Sequence, residues 1–308
     1  MRNTNLIYLL MVLVAIFWGG TFNAATFALK DLEPFTVAFF RFAITVLFLA
    51  PLSRRALATA KVSKRDLCGF FLMGLTGVFA YNAFFLTGMR FTSAVNGSLI
   101  VSASPMVTTL LAIPFLHEKI TMTKLSGFLL SFLGVTLVVS GGSLYNLLAL
   151  QVNKGDLIIL GGMLSWSLYA LVGKRVMSRF SPLVTTTYSI LFGALLLLPC
   201  ALLSDPGFKS LAHASWPALS AVLYMAIFAS VLAFLWWNQG VDRLGAGPAS
   251  IFLNLIPVAT MVISLFFREP VVLTQVLGCL LVIAGISLTA SKVRVGKRGD
   301  GSFASIAD

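Results

Sequence analysis

Charged residues are scarce in this chain. Only 10% of its 308 residues are charged, whereas a soluble domain carries about 25%. Hydrophobic residues make up 58%, and the mean hydropathy is +0.97. This leaves too little polar surface to cover a water-soluble domain, so the composition predicts an integral membrane protein. The apolar runs are continuous and do not alternate with polar residues, which argues against a transmembrane β-barrel.

Histidine and cysteine are also rare. The two histidines lie far apart in the sequence, and the three cysteines form no CxxC pair. Neither a disulfide framework nor a zinc site is predicted, and no cofactor is expected. The sequence contains no GxxxxGKS or GxxxxGKT loop, no GxSxG and no HExxH. Neither an enzyme nor ATP-driven transport by this chain is therefore expected.

Acidic residues are absent from the middle of the predicted helices. All ten fall in predicted loops, at helix ends or in the tail. A proton-coupled carrier usually relies on a buried carboxylate. Facilitated efflux or exchange is therefore the simpler expectation, unless Asp31, Glu33 or Asp156 reaches inward.

Apolar runs predict ten transmembrane helices, since about 20 residues are needed to cross the hydrocarbon core. They cover residues 6–28, 34–52, 67–88, 94–115, 125–142, 156–174, 182–203, 215–238, 246–267 and 273–291. The polar tail over residues 292–308 is predicted to be disordered and cytoplasmic.

The basic residues predict the orientation. If the N-terminus is cytoplasmic, sixteen of the 22 Lys and Arg residues fall on that side and five on the other, with Arg41 inside a helix. Cytoplasmic loops collect Lys and Arg, so both termini are predicted to be cytoplasmic. The net charge of +12 then reflects topology and contact with the lipid bilayer, and no nucleic-acid partner is expected.

Two apolar stretches share an unusual pattern, in which a proline follows small polar residues. They are Ala94–Glu118 and Ala246–Glu269, and their first residues are 152 positions apart. Trp18 and Trp166, 148 positions apart, extend the correspondence. The chain is therefore predicted to consist of two five-helix repeats, 6–142 and 156–291. Because five is odd, the second repeat enters the membrane from the opposite side, which gives the inverted repeat used in alternating access.

Short motifs in both halves resemble the drug/metabolite transporter superfamily, in its ten-helix branch with two EamA domains. In the first half they are FWGGTF at 17–22, PFTVAFFRF at 34–42, Pro105, HEK at 117–119, Gly127 and Gly134. In the second half they are Trp166, Pro182, Pro257, Glu269, Gly278 and Gly285. The resemblance implies an inner-membrane carrier with a central cavity lined mainly by helices 1, 3, 4, 6, 8 and 9. Members commonly export amino acids or other small metabolites.

Helices 4 and 9 carry the main candidates for a transport pathway. Ser98, Ser102 and Pro105 share one helix face, because they are spaced four and three residues apart. The matching face consists of Ser250, Asn254 and Pro257. Each proline frees a backbone carbonyl, which predicts flex points, or hinges, at Pro105 and Pro257. These faces either line the pathway or serve close helix packing, and the Asn254 amide favours the pathway because an amide facing lipid is costly.

Arg41 is a charged residue about seven positions into helix 2. A charge at that depth is costly and is therefore a candidate for function. Two roles compete. Arg41 either contacts an anionic group such as a substrate carboxylate, or it snorkels to the surface or binds helix-end carbonyls. The structural role is favoured, because Ser189 stands at the corresponding position of the second repeat.

The remaining substrate-binding candidates are aromatic and polar residues deep in helices 1, 3 and 6. They are Trp18, Asn23, Tyr81, Asn82, Trp166 and Tyr169. Aromatic walls with a few amides suit an amphipathic solute better than a sugar or a phosphate. Glu118 and Glu269 directly follow helices 4 and 9 and are expected to be structural, either capping the next helix or bracing the loop.

These features predict a carrier of a bacterial inner membrane that exports small metabolites, with amino acids the leading candidates. It is expected to act on a small-molecule substrate, as a monomer or homodimer. The alternatives are a drug or toxic-compound exporter, an uptake carrier for an organophosphate or nucleotide sugar, and a membrane receptor or lipid-handling enzyme. A cation exporter would need a buried carboxylate, and an organophosphate carrier several buried Lys or Arg residues.

Overall fold

The structure, a computed structural model, describes residues 4–108, 111, 122–143, 145, 153–244 and 251–290. Glu118, Ser250 and the predicted disordered tail lie outside these residues. Within the described ranges all regular secondary structure is helical, and no strand occurs. The all-helical class predicted from the sequence is therefore confirmed.

The helices follow the two halves of the chain. In the first half they are α1 (Thr4–Ala28), α2 (Pro34–Thr59), α3 (Lys64–Met89), α4 (Ala94–Ser102) and α5 (Met122–Val139). In the second half they are α6 (Lys154–Val176), α7 (Pro182–Ser204), α8 (Trp216–Tyr224, continued by Met225–Leu232 and Ala233–Leu244), α9 (Leu255–Phe266) and α10 (Leu273–Ala290). Among the described residues, six helices are long and apolar enough to cross a membrane: α1, α2, α3, α6, α7 and α8.

Helix α2 is longer than the sequence predicts. It begins at Pro34, where the missing N–H is harmless, and it continues through Pro51 to Thr59. Hydropathy marks only the apolar part of a helix, and the last turns of α2 carry polar and basic residues. Just beyond Pro51, the hydroxyl of Ser53 donates to the Leu49 carbonyl of the preceding turn (2.7 Å).

Two helices contain π-helical segments that the apolar pattern does not predict. One covers Gly74–Ala80 in α3 and the other Met225–Leu232 in α8. Their first residues are 151 positions apart, so they occupy the same place in the two repeats. A π turn leaves a backbone carbonyl without its usual partner, and such turns are common at functional sites. In α8, the Ala229 and Ala226 carbonyls accept hydrogen bonds from side chains of α1 and α2.

The irregular backbone near the two predicted hinges precedes each proline. Ala103 interrupts α4 two residues before Pro105, and residues 104–108 are helical again. A short 3-10 segment, Ile251–Asn254, comes directly before the α9 turn that contains Pro257. A proline cannot bond the carbonyl four residues earlier. For Pro105 that carbonyl belongs to Val101, and the Ser104 hydroxyl donates to it.

Helices α5 and α10 cross at glycines that the sequence had paired by repeat. A Cβ added to Gly134 would lie 2.8 Å from the Gly278 carbonyl oxygen, and one added to Gly285 would lie 2.5 Å from the Gly127 carbonyl oxygen. Gly127 corresponds to Gly278 and Gly134 to Gly285, both at an offset of 151. The contacts are therefore reciprocal, as at an interface between two-fold-related units.

Candidate functional site

A narrow cavity lies at the centre of the helices, and both halves of the chain contribute to its wall. It is lined by Trp18, Thr21, Phe22, Arg41, Phe42, Gly77, Tyr81, Asn82, Val101, Ser102, Ser104, Pro105, Trp166, Phe234, Leu253 and Ile256. The space inside it is about 60 Å³. Each water needs at least about 10–15 Å³, so the cavity holds a few waters but no metabolite. A larger ligand requires the walls to move apart.

Aromatic rings form one part of the wall. The repeat-related Trp18 and Trp166 meet edge to face, with ring centroids 6.0 Å apart. Phe234 packs against both tryptophans, at 5.7 and 6.0 Å, and Tyr81 lies 5.3 Å from Trp166. The Trp18 Nε1–H donates to the Ala229 carbonyl (2.9 Å), so the π segment of α8 fixes this ring. The wall is thus apolar, polarizable and held by one hydrogen bond.

Arg41 and Asn82 form a polar part of the wall, and Ser230, which lies outside the lining, is a partner of Arg41. These three residues are here called the Arg41 cluster. As a residue Arg41 is 4% exposed, so its side chain does not snorkel to the surface. Nε donates to the Ser230 hydroxyl (2.8 Å), and Nη1 donates to Asn82 Oδ1 (3.2 Å). The Asn82 amide in turn donates to the Val78 carbonyl (2.8 Å). Arg41 therefore joins the two π segments, because Val78 lies in one and Ser230 in the other.

The guanidinium of Arg41 has no counterion among the described residues. No carboxylate of these residues lies within 4.0 Å of it. Nη2 makes no hydrogen bond to any of them either. The face of the Phe42 ring lies 4.9 Å from Cζ and offers partial compensation. Burying an uncompensated cation costs several kcal/mol, so this site is electrostatically incomplete.

The predicted pathway faces of helices 4 and 9 meet the cavity only in part. Ser102 and Pro105 line it, whereas Ser98, Asn254 and Pro257 do not. The hydroxyls of Ser98 and Ser102 donate to carbonyls of their own helix. Asn254 is 6% exposed, and its Oδ1 has no hydrogen-bond partner in the described structure. Their part in transport stays a prediction.

Replacing Asn254 by leucine tests the unpartnered oxygen. An unsatisfied buried carbonyl costs about 1–3 kcal/mol, so Asn254→Leu is expected to raise the free energy of unfolding by up to about that amount. The matched control is Asn82→Leu, which removes an amide with both ends hydrogen-bonded and is expected to lower it. Denaturant titration in detergent measures both. A loss of stability in Asn254→Leu would contradict the conclusion that the Asn254 Oδ1 is buried without a hydrogen-bond partner. Unchanged transport in this variant would contradict a role of Asn254 in the pathway.

Asn23 and Tyr169 lie away from the central cavity. Asn23 lines a second space of about 460 Å³ between α1, α8 and α9. Its amide donates to the Thr260 carbonyl (3.2 Å) and accepts from the Ser264 hydroxyl (2.7 Å), so both ends are used within the protein. Tyr169 stacks on Trp166 at 5.0 Å and supports the aromatic wall from behind.

Of the three acids considered for coupling, Asp156 is the one that is buried, but it does not line the cavity. It is 1% exposed in the first turn of α6, and it accepts hydrogen bonds from Thr92 and from Asn96 Nδ2 (3.3 Å). Asn96 Oδ1 accepts from Gln275 (2.7 Å). This network joins the first turns of α4, α6 and α10. It serves the contact between the repeats rather than the cavity lining.

Asp31 and Glu33, the other acids considered for coupling, and Glu269, which was expected to be structural, lie in or beside loops. Hydrogen bonds from the side chain and backbone of Ser215 hold the pKa of Asp31 below its ordinary value. Glu33 pairs with Arg90 (2.9 Å). Glu269 accepts from the Ser264 hydroxyl at the end of α9 (3.3 Å), a contact that a bracing residue would make. Neither Asp31 nor Glu33 lines the cavity.

Sequence reasoning missed several cavity residues. They are Thr21, Gly77, Ser104, Phe234 and, as a partner of Arg41, Ser230. The Ser230 contact depends on the π segment, which shifts the helical phase and is not visible in an apolar pattern. One signal was available, since Ser230 is the single polar residue in the run Met225–Leu232.

Comparison with known proteins agrees with these features. The EamA-like transporter family matches residues 5–140 and 153–291. "Uncharacterized transporter YyaM" of Bacillus subtilis is 35% identical over 299 residues, which cover 96% of this chain and 97% of that protein. The "Probable terminal-alkyne amino-acid exporter" of Streptantibioticus cattleyicolor is 25% identical over 294 residues, covering 95% of each chain.

A solved crystal structure has the same fold. It aligns with a TM-score of 0.66 and 18% identity, covering 93% of this chain and 97% of the other. The family match spans both halves of the chain, and the helices are long and apolar, so this is a multi-pass membrane protein. The chain belongs to the EamA-like transporter family.

Proposed function

We propose that the protein is a carrier that exports small amphipathic metabolites, with amino acids or related solutes the leading candidates, across a bacterial inner membrane. The proposed carrier has ten transmembrane helices in two inverted repeats, with both termini in the cytoplasm. The observation that carries the proposal is the central cavity. Its wall combines the Trp18–Trp166 pair with the polar Arg41 cluster, and both repeats contribute to it.

The proposed mechanism is alternating access. Reciprocal glycine contacts between α5 and α10 and the paired π segments of α3 and α8 support two similar halves that move about a common centre. The cavity is smaller than a metabolite, as expected of a contracted state. Substrate entry then requires Trp18 and Trp166 to separate. The relative named as an amino-acid exporter supports this substrate class.

The rival functions have less support. A carrier of organic cations would place a carboxylate in its site, and the described residues of the cavity wall include none. A carrier of doubly charged phosphate compounds would place several cations there, whereas Arg41 is the one basic residue in the described lining.

Counterflow in proteoliposomes tests the function. Vesicles loaded with an unlabelled amino acid are diluted into a trace of the same labelled compound, and a panel of apolar amino acids, sugars and organic cations is compared. Saturable accumulation of an amphipathic solute is expected, without a proton gradient. The function is contradicted if folded protein gives no uptake above empty vesicles for any compound.

Pro105, three residues after the end of α4, and Pro257, in α9, are proposed as flex points. Pro105→Ala combined with Pro257→Ala restores two backbone donors and favours regular helix. We expect the counterflow rate to fall by about tenfold, or roughly 1.4 kcal/mol of barrier, with folded yield unchanged or raised. The matched control is Pro51→Ala, since Pro51 is interior to α2 but absent from the cavity lining. Equal rates in the double variant and the wild type would refute the flex points.

A further inference from the structure

We propose that the Arg41 cluster is a carboxylate receptor, and that the substrate is a singly charged carboxylate solute with an apolar body. This assignment rests on the proposed transport function and specifies its substrate. It rests also on one physical fact, the buried guanidinium that lacks a counterion among the described residues.

The geometry leaves one edge of the guanidinium available. Nε and Nη1 are used by Ser230 and Asn82, whereas Nη2 has no acceptor in the described structure. Arg41 lines the cavity. Nη2 carries two N–H donors, and Nη1 carries a second one beside the N–H that bonds Asn82. Hydrogen bonds from a guanidinium to a carboxylate are charge-assisted and about twice as strong as neutral ones. The ligand that best completes this site is therefore a planar carboxylate at the free edge.

The neighbours of Arg41 orient it for that task. Ser230 is fully buried, and Asn82 is anchored by the Val78 carbonyl. Neither partner carries a charge, so both hold the guanidinium without neutralising it. A structural arginine would more simply pair with an acid or with helix-end carbonyls. The arrangement keeps the positive charge for a ligand.

The rest of the wall defines the remainder of the solute. The cavity is also lined by the indoles of Trp18 and Trp166 and by the rings of Tyr81 and Phe234. These rings would contact the apolar part of the solute. A second anionic group would find no cation in the described lining, since Arg41 is the one basic residue there. Monocarboxylates with aliphatic or aromatic side groups match this composition.

Matched ligand pairs test the assignment. N-acetylleucine is compared with N-acetylleucinamide and leucine with leucinamide, alongside unbranched monocarboxylates of four to eight carbons and their amides. Binding to the purified protein is read from tryptophan fluorescence, because Trp18 and Trp166 line the cavity. The carboxylate of each pair is expected to bind at least about tenfold more tightly. Chloride, added as sodium chloride, is an anion without an apolar body and is expected to compete only weakly with the carboxylates.

The variants separate charge from structure. Arg41→Gln keeps a hydrogen-bonding side chain without charge, and the carboxylate-to-amide preference is expected to fall to within about threefold. Arg41→Lys keeps the charge and is expected to retain part of the preference. The preference is a ratio within one protein, so a change in folded fraction cancels. If Arg41 were merely structural, Arg41→Gln would lower the affinity for the carboxylate and for the amide of each pair by the same factor.

Three outcomes would overturn the receptor. They are an equal affinity for acid and amide in the wild type, an unchanged preference in Arg41→Gln, and no binding by any carboxylate of the series. Failure of transport is a separate result. Carboxylate-selective binding without counterflow would refute the proposed function and keep the receptor, whereas counterflow of solutes without acid preference would do the reverse.

Discussion

Replacing Gly134 by valine is expected to lower the free energy of unfolding by about 3 kcal/mol, the upper end of the usual cost of overpacking. A Cβ at this position would lie 2.8 Å from the Gly278 carbonyl oxygen, 2.9 Å from Val282 and 3.0 Å from Leu281. The nearest atom belongs to the backbone of α10 and cannot rotate away. Helices α5 and α10 must therefore separate. Chemical denaturation in detergent measures the loss.

Gly162→Ala is the matched control for the smaller change Gly134→Ala. Gly162 also lies within a helix and packs against another helix, but its added Cβ would meet its nearest neighbours at 3.5 Å, an ordinary contact. Alanine there gains up to about 1 kcal/mol of helix propensity. We expect Gly162→Ala to be neutral or stabilising and Gly134→Ala to be destabilising. Equal stability of the two alanine variants would contradict the close crossing of α5 and α10.

Replacing Trp18 by alanine is expected to abolish transport and to cost about 3 kcal/mol of stability, the lower end for buried aromatics because this ring is half-buried. The variant loses the bond to the Ala229 carbonyl and the contacts with Trp166 and Phe234. Both the cavity wall and the anchor of the α8 π segment disappear. Counterflow rates and denaturation are measured on the same preparation.

Three further variants separate the hydrogen bond of the indole from its place in the cavity wall. Trp18→Phe removes the hydrogen bond and is expected to cost about 1 kcal/mol, whereas Trp166→Phe loses no hydrogen bond to any described residue. Trp216→Ala changes a side chain that is 83% exposed and is expected to leave transport unchanged. The wall assignment is wrong if Trp18→Ala and Trp216→Ala transport equally well.

Much of the architecture was predictable because it depends on hydropathy and repetition. Apolar runs of sufficient length predicted helices, and the described helices fall at those places. The repeat paired Trp18 with Trp166, and these residues meet at the cavity. It also paired the glycines of α5 and α10, whose lack of a Cβ is what permits the crossing. Such features can be recognised from residue types alone, because a long apolar run favours a transmembrane helix and a glycine permits a close helix crossing.

The details of the cavity were less predictable because they depend on helical phase. The π segments rotate the residues that follow them, so a face derived from regular spacing is displaced. Ser230, inside the π segment of α8, reaches Arg41. Ser98, in α4, and Asn254, in the 3-10 segment before α9, fall outside the lining. Arg41 was expected to favour a structural role, since its repeat partner is Ser189. The folded structure shows that Arg41 has no counterion among the described residues, and this favours binding of a ligand carboxylate over the structural role.

Access to the cavity from both sides is the most direct measure of the central claim. Ser102 lines the cavity, so Ser102→Cys is labelled with a membrane-impermeant maleimide in oriented vesicles, after Cys68, Cys200 and Cys279 have been replaced by alanine. Alternating access predicts that the reagent reacts when applied to either side, and that a transported solute protects the thiol on both. Reaction from one side alone under every condition would contradict a carrier with a central, alternately exposed site.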